Sequence, residues 1–438
     1  MTINRRVFIK QGALALVAMG LPPRFITRSL LAESGRAAAR RKTLVCIFQR
    51  GAADGLSMVI PFGDPAYAPA RRATRIAAPV RAGGGALDLD GFFGLHPRLA
   101  PLHELWGRRE LAIVQATGSP NPTRSHFQAQ DIMETADPSG RARDGWLNRT
   151  LAADGCAECS GRTLADGRAH AADHAVGQAG MAALRGVAMS ADLPVSLRGS
   201  HPAIAVGDLS RFGVAGGRDP ELEAAFERMY RNDLGDAVAG AGGEGLQAAA
   251  LLRHAAPSRY RPREGVVYPT GPFGRSLRQI AQLIKMDVGV EIAFADVGGW
   301  DTHVAQGGAD GQLAGRLGEL GRGIRALHDD LGERMEDVVI LTMSEFGRTV
   351  AENGTGGTDH GHANVMLAVG GGVHGGRVLG EWPGLAPEQL NEGRDLKVTT
   401  DFRDVFAELA GRHLQAGALD RVFPGYAVDP RRWRGVLG

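Results

Sequence analysis

One short stretch of this chain, Asp337–Asn364 (DVVILTMSEFGRTVAENGTGGTDHGHAN), sets Glu345 at the end of an apolar run and brings Asp359, His360 and His362 together in a glycine-rich loop after it. Imidazole and carboxylate together are the ligands of a hard or borderline divalent cation, so the stretch reads as a metal site for zinc or manganese, with one or two ions. A second pair, Asp301 and His303, follows Gly298-Gly299-Trp300. Both can reach one ion if the backbone there is extended. His374, in a glycine turn, is either a late ligand or an exposed loop residue.

The elements that must position these groups are legible in outline. Val338–Met343 is a short run without charge, of the length and β-branched content of a strand buried on both faces of a parallel sheet. It ends at Ser344-Glu345, where open α/β sheets place their ligands. Glycines 354, 356, 357 and 361 let the following loop bend sharply and approach another surface closely. Glu291–Val297 reads as a strand ending before Asp301, and Leu313, Leu317, Leu320, Ile324, Leu327 and Leu331 mark an amphipathic helix. Strand, helix and strand make one parallel unit, which puts Asp301 and Glu345 on the same sheet edge. Phe273–Met286 is a further helix, Val365–Val369 a further strand, and Asp401 the cap of a last helix.

Nearer the start, Thr43–Phe48 reads as a first central strand, with Cys46 a core residue. It leads into a turn presenting Arg50 and Asp54, the latter either a turn residue or a ligand. Leu111–Ala116 is another strand, followed by Ser125-His126-Phe127-Gln128. Ser125 and Gln128 have the spacing of a capping box. The same position suits a hydroxyl nucleophile, because free N–H groups stabilise anionic charge at a helix start. His126 is a polar loop residue or part of the site. Arg50 and Arg348 are surface ion-pairing residues or clamps for the oxygens of an anion.

The first residues read as an address. Asn4-Arg5-Arg6-Val7-Phe8-Ile9-Lys10 is a twin-arginine pattern, and the apolar Gly12–Leu21 is too short to span a bilayer. Ala37-Ala38-Ala39 offers a cleavage candidate. The expectation is export, already folded, by the twin-arginine translocase to the periplasm or beyond. Residues 1–39 carry a net +5, so the remainder falls from the formal +2 of the whole chain to −3. A mildly acidic protein without a basic block excludes nucleic acid as a partner, and no later apolar run suggests a stable membrane span. Cys156 and Cys159 suit a local disulfide better than a redox or zinc motif. Residues 137–270 carry no catalytic constellation, with helices expected over Pro220–Tyr230 and Leu246–His254.

Five motifs then carry a family resemblance: FQRGAADGL at 48–56, SHFQAQDIME at 125–134, GGWDTH at 298–303, SEFGRT at 344–349 and TDHGHAN at 358–364. In this order they resemble an exported bacterial family catalogued as domain of unknown function fifteen-oh-one, grouped with the alkaline phosphatase and sulfatase superfamily. The resemblance implies a three-layer α/β/α domain over residues 40–438, with a mostly parallel central sheet and 137–270 as an inserted capping region. It implies a metal-binding Asp54, a Ser125 nucleophile, and Asp301 and His303 on one metal with His362 closing it. Where the superfamily sets a carboxylate beside a histidine for a second metal, this chain reads Glu345-Phe346. Either Asp359 and His360 supply what Phe346 cannot, or the second site is altered or lost. The implied activity is hydrolysis of a phosphate or sulfate ester, of a small molecule or a glycan. The alternative is a non-catalytic metal- or glycan-binding envelope protein, working beside another exported protein. A redox role lacks both a dinucleotide fingerprint and a C-x-x-C-H haem motif.

Overall fold

Thr43–Gln49 (β1) is buried along its whole length, and its side chains alternate between two separate cores. Val45 and Ile47 enter one and Leu44, Cys46 and Phe48 the other. A strand with two apolar faces must be covered on both sides, so its sequence already demands helices above and below. The computed structural model describes residues 41–80, 83–153, 184–209 and 260–438. Among these, a large sheet runs β11-β5-β10-β9-β1-β8-β6-β7, with β12 paired to β5. Its strands are β5 (Leu111–Gly118), β6 (Gly186–Ala188), β7 (Ile204–Ala205), β8 (Ile292–Val297), β9 (Val338–Met343), β10 (Asn364–Gly370), β11 (Arg377–Leu379) and β12 (Thr400–Asp401). β2 (Val59–Ile60), β3 (Leu87–Asp88) and β4 (Gly94–Leu95) form a small separate sheet.

One core is closed by helices α1 (Ala100–Gly107), α4 (Pro272–Lys285) and α5 (Gln312–Leu331). The other is closed by α2 (His126–Thr135), α3 (Trp146–Ala153) and α6 (Phe402–Glu408). The leucine stripe expected over 313–331 is buried on α5, and Asp401 caps α6 by accepting from the Arg403 N–H. The fold is therefore mixed α/β around a mostly parallel sheet.

Two details go beyond what the sequence reading specified. β8 and β9 are parallel, but they do not neighbour each other, because β1 lies between them. β10 runs antiparallel to both β9 and β5. Its start, not its end, therefore lies on the edge where β1, β5, β8 and β9 finish. Described parts of 137–270 lengthen the sheet sideways through β6 and β7 and supply α3 to a core. The twin-arginine pattern, Ala37–Ala39, Cys156, Cys159 and the helices expected over 220–230 and 246–254 lie outside the described residues. Among those described, no helix is long and apolar enough to cross a membrane. Cys46 is free and buried, and burial pushes its thiol well above the usual range.

A π turn, Leu409–His413, follows α6 and ties it to the sheet, with His413 Nε2 donating to the Thr43 carbonyl at 2.9 Å. Burial pushes this imidazole down to about 4, from an unfolded value of about 6.5. A depressed value means that the contribution is whole above about pH 6.5 and drains as pH falls toward about 4. Denaturant titrations should show the wild type losing about 2–3 kcal/mol more than His413→Gln between pH 7 and 4.5. Equal losses would place the acid sensitivity elsewhere.

Candidate metal centre

The loops after β1, β5 and β8, and the loop that joins β9 to β10, meet at one edge of the sheet. Three imidazoles and a carboxylate converge there. His126 Nε2 lies 3.0 Å from His360 Nε2 and 3.6 Å from Asp301 Oδ1. His303 Nε2 lies 2.9 Å from His360 Nε2 and 3.0 Å from Asp301 Oδ1. His360 Nε2 lies 3.3 Å from the same oxygen.

The remaining ring nitrogens assign the tautomers. His126 Nδ1 is 2.7 Å from Glu345 Oε1, His303 Nδ1 is 2.9 Å from Asp359 Oδ1, and His360 Nδ1 is 2.9 Å from the Arg124 carbonyl. Carboxylate and carbonyl oxygens only accept, so each Nδ1 carries a proton, and each Nε2 faces Asp301 Oδ1. Lone pairs at this distance repel unless two protons or one divalent cation stand among them. Zinc bonds of about 2.0–2.2 Å at tetrahedral angles give ligand separations of about 3.3 Å, close to those found. His126, His360 and Asp301 therefore fit a single divalent ion, with His303 Nε2 lying against His360 and Asp301 beside them. Imidazoles steered by carboxylate and carbonyl acceptors are the usual surroundings of such a site.

Local sequence explains the placement. After β9, Gly347–Thr349 pairs antiparallel with Asp359–His362, through Gly347 N–H to His362 O, Gly361 N–H to Gly347 O and Thr349 N–H to Asp359 O. A Cβ on Gly347 would sit 1.9 Å from the Ala363 oxygen, so only glycine permits this approach. Gly357 likewise packs on the His303 carbonyl. Arg348, whose side chain is wholly buried, donates to the carbonyls of Gly51, Ala52, Trp300 and Thr358 and to Asp301 Oδ1 at 2.5 Å. Phe346 is buried, stacked on His126 with ring centres 5.0 Å apart, and also lies 5.1 Å from His360.

The electrostatics follow from these contacts. Burial alone would raise Asp301, but Arg348 holds it below its ordinary value. Burial opposes ionisation of Glu345 too, yet donors from His126, Gln130 and the Gly51 N–H keep its carboxyl low. The Glu345 hydrogen bond raises His126, while burial lowers His360.

Of the residues expected at the site, Asp301 and His360 come together as candidate ligands, with His303 against them. Glu345 and Asp359 come with them but hold imidazoles from behind. Asp54 does not join them: it is buried against Arg71 at 2.5 and 2.9 Å and also accepts from Ser57 Oγ and Gln306 Nε2. With its oxygens so engaged, Asp54 is a structural anchor; Arg71 keeps it ionised although burial opposes this. His362 turns away to the Ser119 carbonyl, 2.8 Å distant, and His374 Nδ1 faces Arg377. Arg50 is held by Glu134, Asp296 and Gln130. Ser125 occupies the N-cap of α2, but the capping box does not form, because Gln128 Oε1 accepts from Thr123 Oγ1 instead. Its exposed side chain stands next to His126 in sequence. His126 joins the cluster, and its signal in the sequence was its position at the start of a helix following a strand end.

Residues 212–423 match the model of the family described as "Protein of unknown function (DUF1501)". That match takes in Asp301, His303, Glu345, Arg348, Asp359 and His360 and leaves Ser125 and His126 outside. No curated protein matches the chain.

Glu345→Gln should weaken zinc binding about 10–100-fold, as loss of a partner behind a ligand does. Asp54→Asn should leave zinc stoichiometry unchanged while costing about 3–5 kcal/mol of stability, since Arg71 is left buried without its counter-charge. Metal analysis beside denaturant unfolding separates the two roles. Loss of metal in Asp54→Asn with stability intact would reverse the assignment.

Proposed function

We propose that this chain is a metal-dependent hydrolase of phosphate or sulfate esters, exported through the twin-arginine pathway. The observation that carries the reading is the convergence of three Nε2 atoms on Asp301 Oδ1, each imidazole being fixed by an acceptor behind it. Zinc or manganese held by His126, His360 and Asp301, with His303 beside them, would supply Lewis-acid polarisation of the ester. Ser125 lies at the start of α2, exposed and beside a ligand, where α2 offers unpaired N–H groups to a developing oxyanion. The ten-residue α2 turns its other flank into the core through Ala129, Ile132 and Met133, so the serine is borne on a fixed element. Likeness to the alkaline phosphatase and sulfatase superfamily, carried by the motif order and the mostly parallel sheet, favours the same chemistry by analogy.

A second reading has its own support. Arg348 is consumed by carbonyls and Asp301, and Arg50 by carboxylates, so neither offers a free guanidinium to an anionic ester. A non-catalytic metal-binding envelope protein would have no need of one.

Turnover of aryl phosphates and aryl sulfates by the zinc- and manganese-loaded protein decides between them. As a hydrolase, Ser125→Ala should retain its metal and lose about 10³-fold or more in kcat, whereas Asp301→Ala should lose metal and turnover together. A fully loaded protein inert toward a broad ester panel would favour the binding role. Full activity in Ser125→Ala would remove the serine from the mechanism.

A further inference from the structure

An open cavity of about 450 Å³ lies along the outer side of α2, the helix that begins at His126. Its lining includes Gln128 and Asp131 from α2, Ser139 and Arg143 from the loop that follows, and Arg198. That volume falls in the range of ligand-sized clefts. Among the described residues no carboxylate pairs with Arg143 or Arg198; Arg198 Nε donates only to the Leu193 carbonyl. The loop is held in shape by Asp137, whose carboxylate accepts from the N–H and hydroxyl of Ser139 and the N–H groups of Arg141 and Ala142. Arg143 is thus presented from a fixed loop, and among the described residues neither it nor Arg198 has a carboxylate partner, which lowers the ordering cost of binding.

Phe127, 86% exposed, follows the candidate ligand His126 in the chain. It precedes Asp131 by one helical turn and so lies on the same flank of α2. An aromatic face left in water next to a metal ligand is suited to the C–H face of a sugar ring. Gln128 Nε2 and the Asp131 carboxylate suit sugar hydroxyls, and forked guanidiniums suit a carboxylate or sulfate. From His126 to Thr135 the helix extends about 13 Å, long enough for more than one sugar residue.

We propose that this track is the binding cleft for an acidic oligosaccharide, with the cavity between Arg143 and Arg198 taking a carboxylate or sulfate group remote from the metal centre. It rests on the hydrolase reading for its orientation, and it names the substrate class as an anionic glycan ester. No covalent step occurs in the cavity itself.

The test is calorimetric titration of the full-length metal-loaded protein with sulfated and uronate-containing hexasaccharides, a neutral hexasaccharide and sodium sulfate. The acidic hexasaccharides should bind, with affinity falling at least tenfold in Arg143→Gln/Arg198→Gln and severalfold in Phe127→Ala. The neutral sugar and free sulfate should bind at least tenfold more weakly. Repeating the titration with Asp301→Ala separates the two readings: retained binding without metal sustains the cleft even if hydrolysis fails. Equal binding to wild type and the double arginine variant, or no binding of any acidic hexasaccharide, would overturn the proposal. Sulfate binding as tightly as the hexasaccharides would reduce the cavity to a simple anion site and overturn it as a saccharide cleft.

Discussion

A single buried guanidinium holds the functional edge of this sheet together. Arg348, in the single loop that joins β9 to β10, gathers the loops after β1 and β8 by donating to their carbonyls and folds its own loop by donating to the Thr358 carbonyl. Burying such a charge is expensive unless every donor is used and a counter-charge is near. Here the counter-charge is Asp301, itself a candidate metal ligand. The residue that organises the loops thus also keeps that ligand ionised. Around it, the carboxylates of Asp301, Glu345 and Asp359 outnumber the one guanidinium and leave two negative charges. A divalent cation among neutral imidazoles would balance them.

A second buried arginine does comparable work one layer further out. Arg71 joins Asp54 to the carbonyls of Thr349 and Val350, and Gln306 extends that network to the hydroxyls of Thr302 and Thr358. The threonines flank Asp301, His303 and Asp359 in sequence. A residue type that resembles a metal ligand by motif, Asp54, has become the anchor of the scaffold that aims the true candidates. The inner ligands face a half-open mouth, with the Asp301 side chain 47% exposed, whereas Arg348 and Glu345 behind them are closed off from solvent.

How much of this the residues announced in advance depended on range. Strands such as Val338–Met343 and the stripe of α5 were legible because a local period carries them. That Asp301 and Glu345 share an edge followed from one strand–helix–strand unit. The antiparallel direction of β10 was not legible, since its apolar run has no sign of orientation. His126 could not be separated from a polar loop residue, because its partners Glu345 and His360 lie 219 and 234 positions away. Arg71 was unreadable for the same reason: nothing near it in sequence announces a buried partner. The capping box at Ser125 failed because Thr123, two residues earlier, competes for Gln128.

The scattering of the candidate cluster over residues 126, 301, 303 and 360 has a thermodynamic meaning of its own. An unfolded chain brings no two of the three segments together, so an ion can bind with full strength only to the folded form. By mass action, each tenfold excess of free ion over the dissociation constant then adds about 1.4 kcal/mol to stability. First-row ions differ in intrinsic affinity for nitrogen and oxygen ligands, and availability commonly overrides that order. The compartment in which folding is completed would therefore choose the ion, and the folded protein would carry that choice with it.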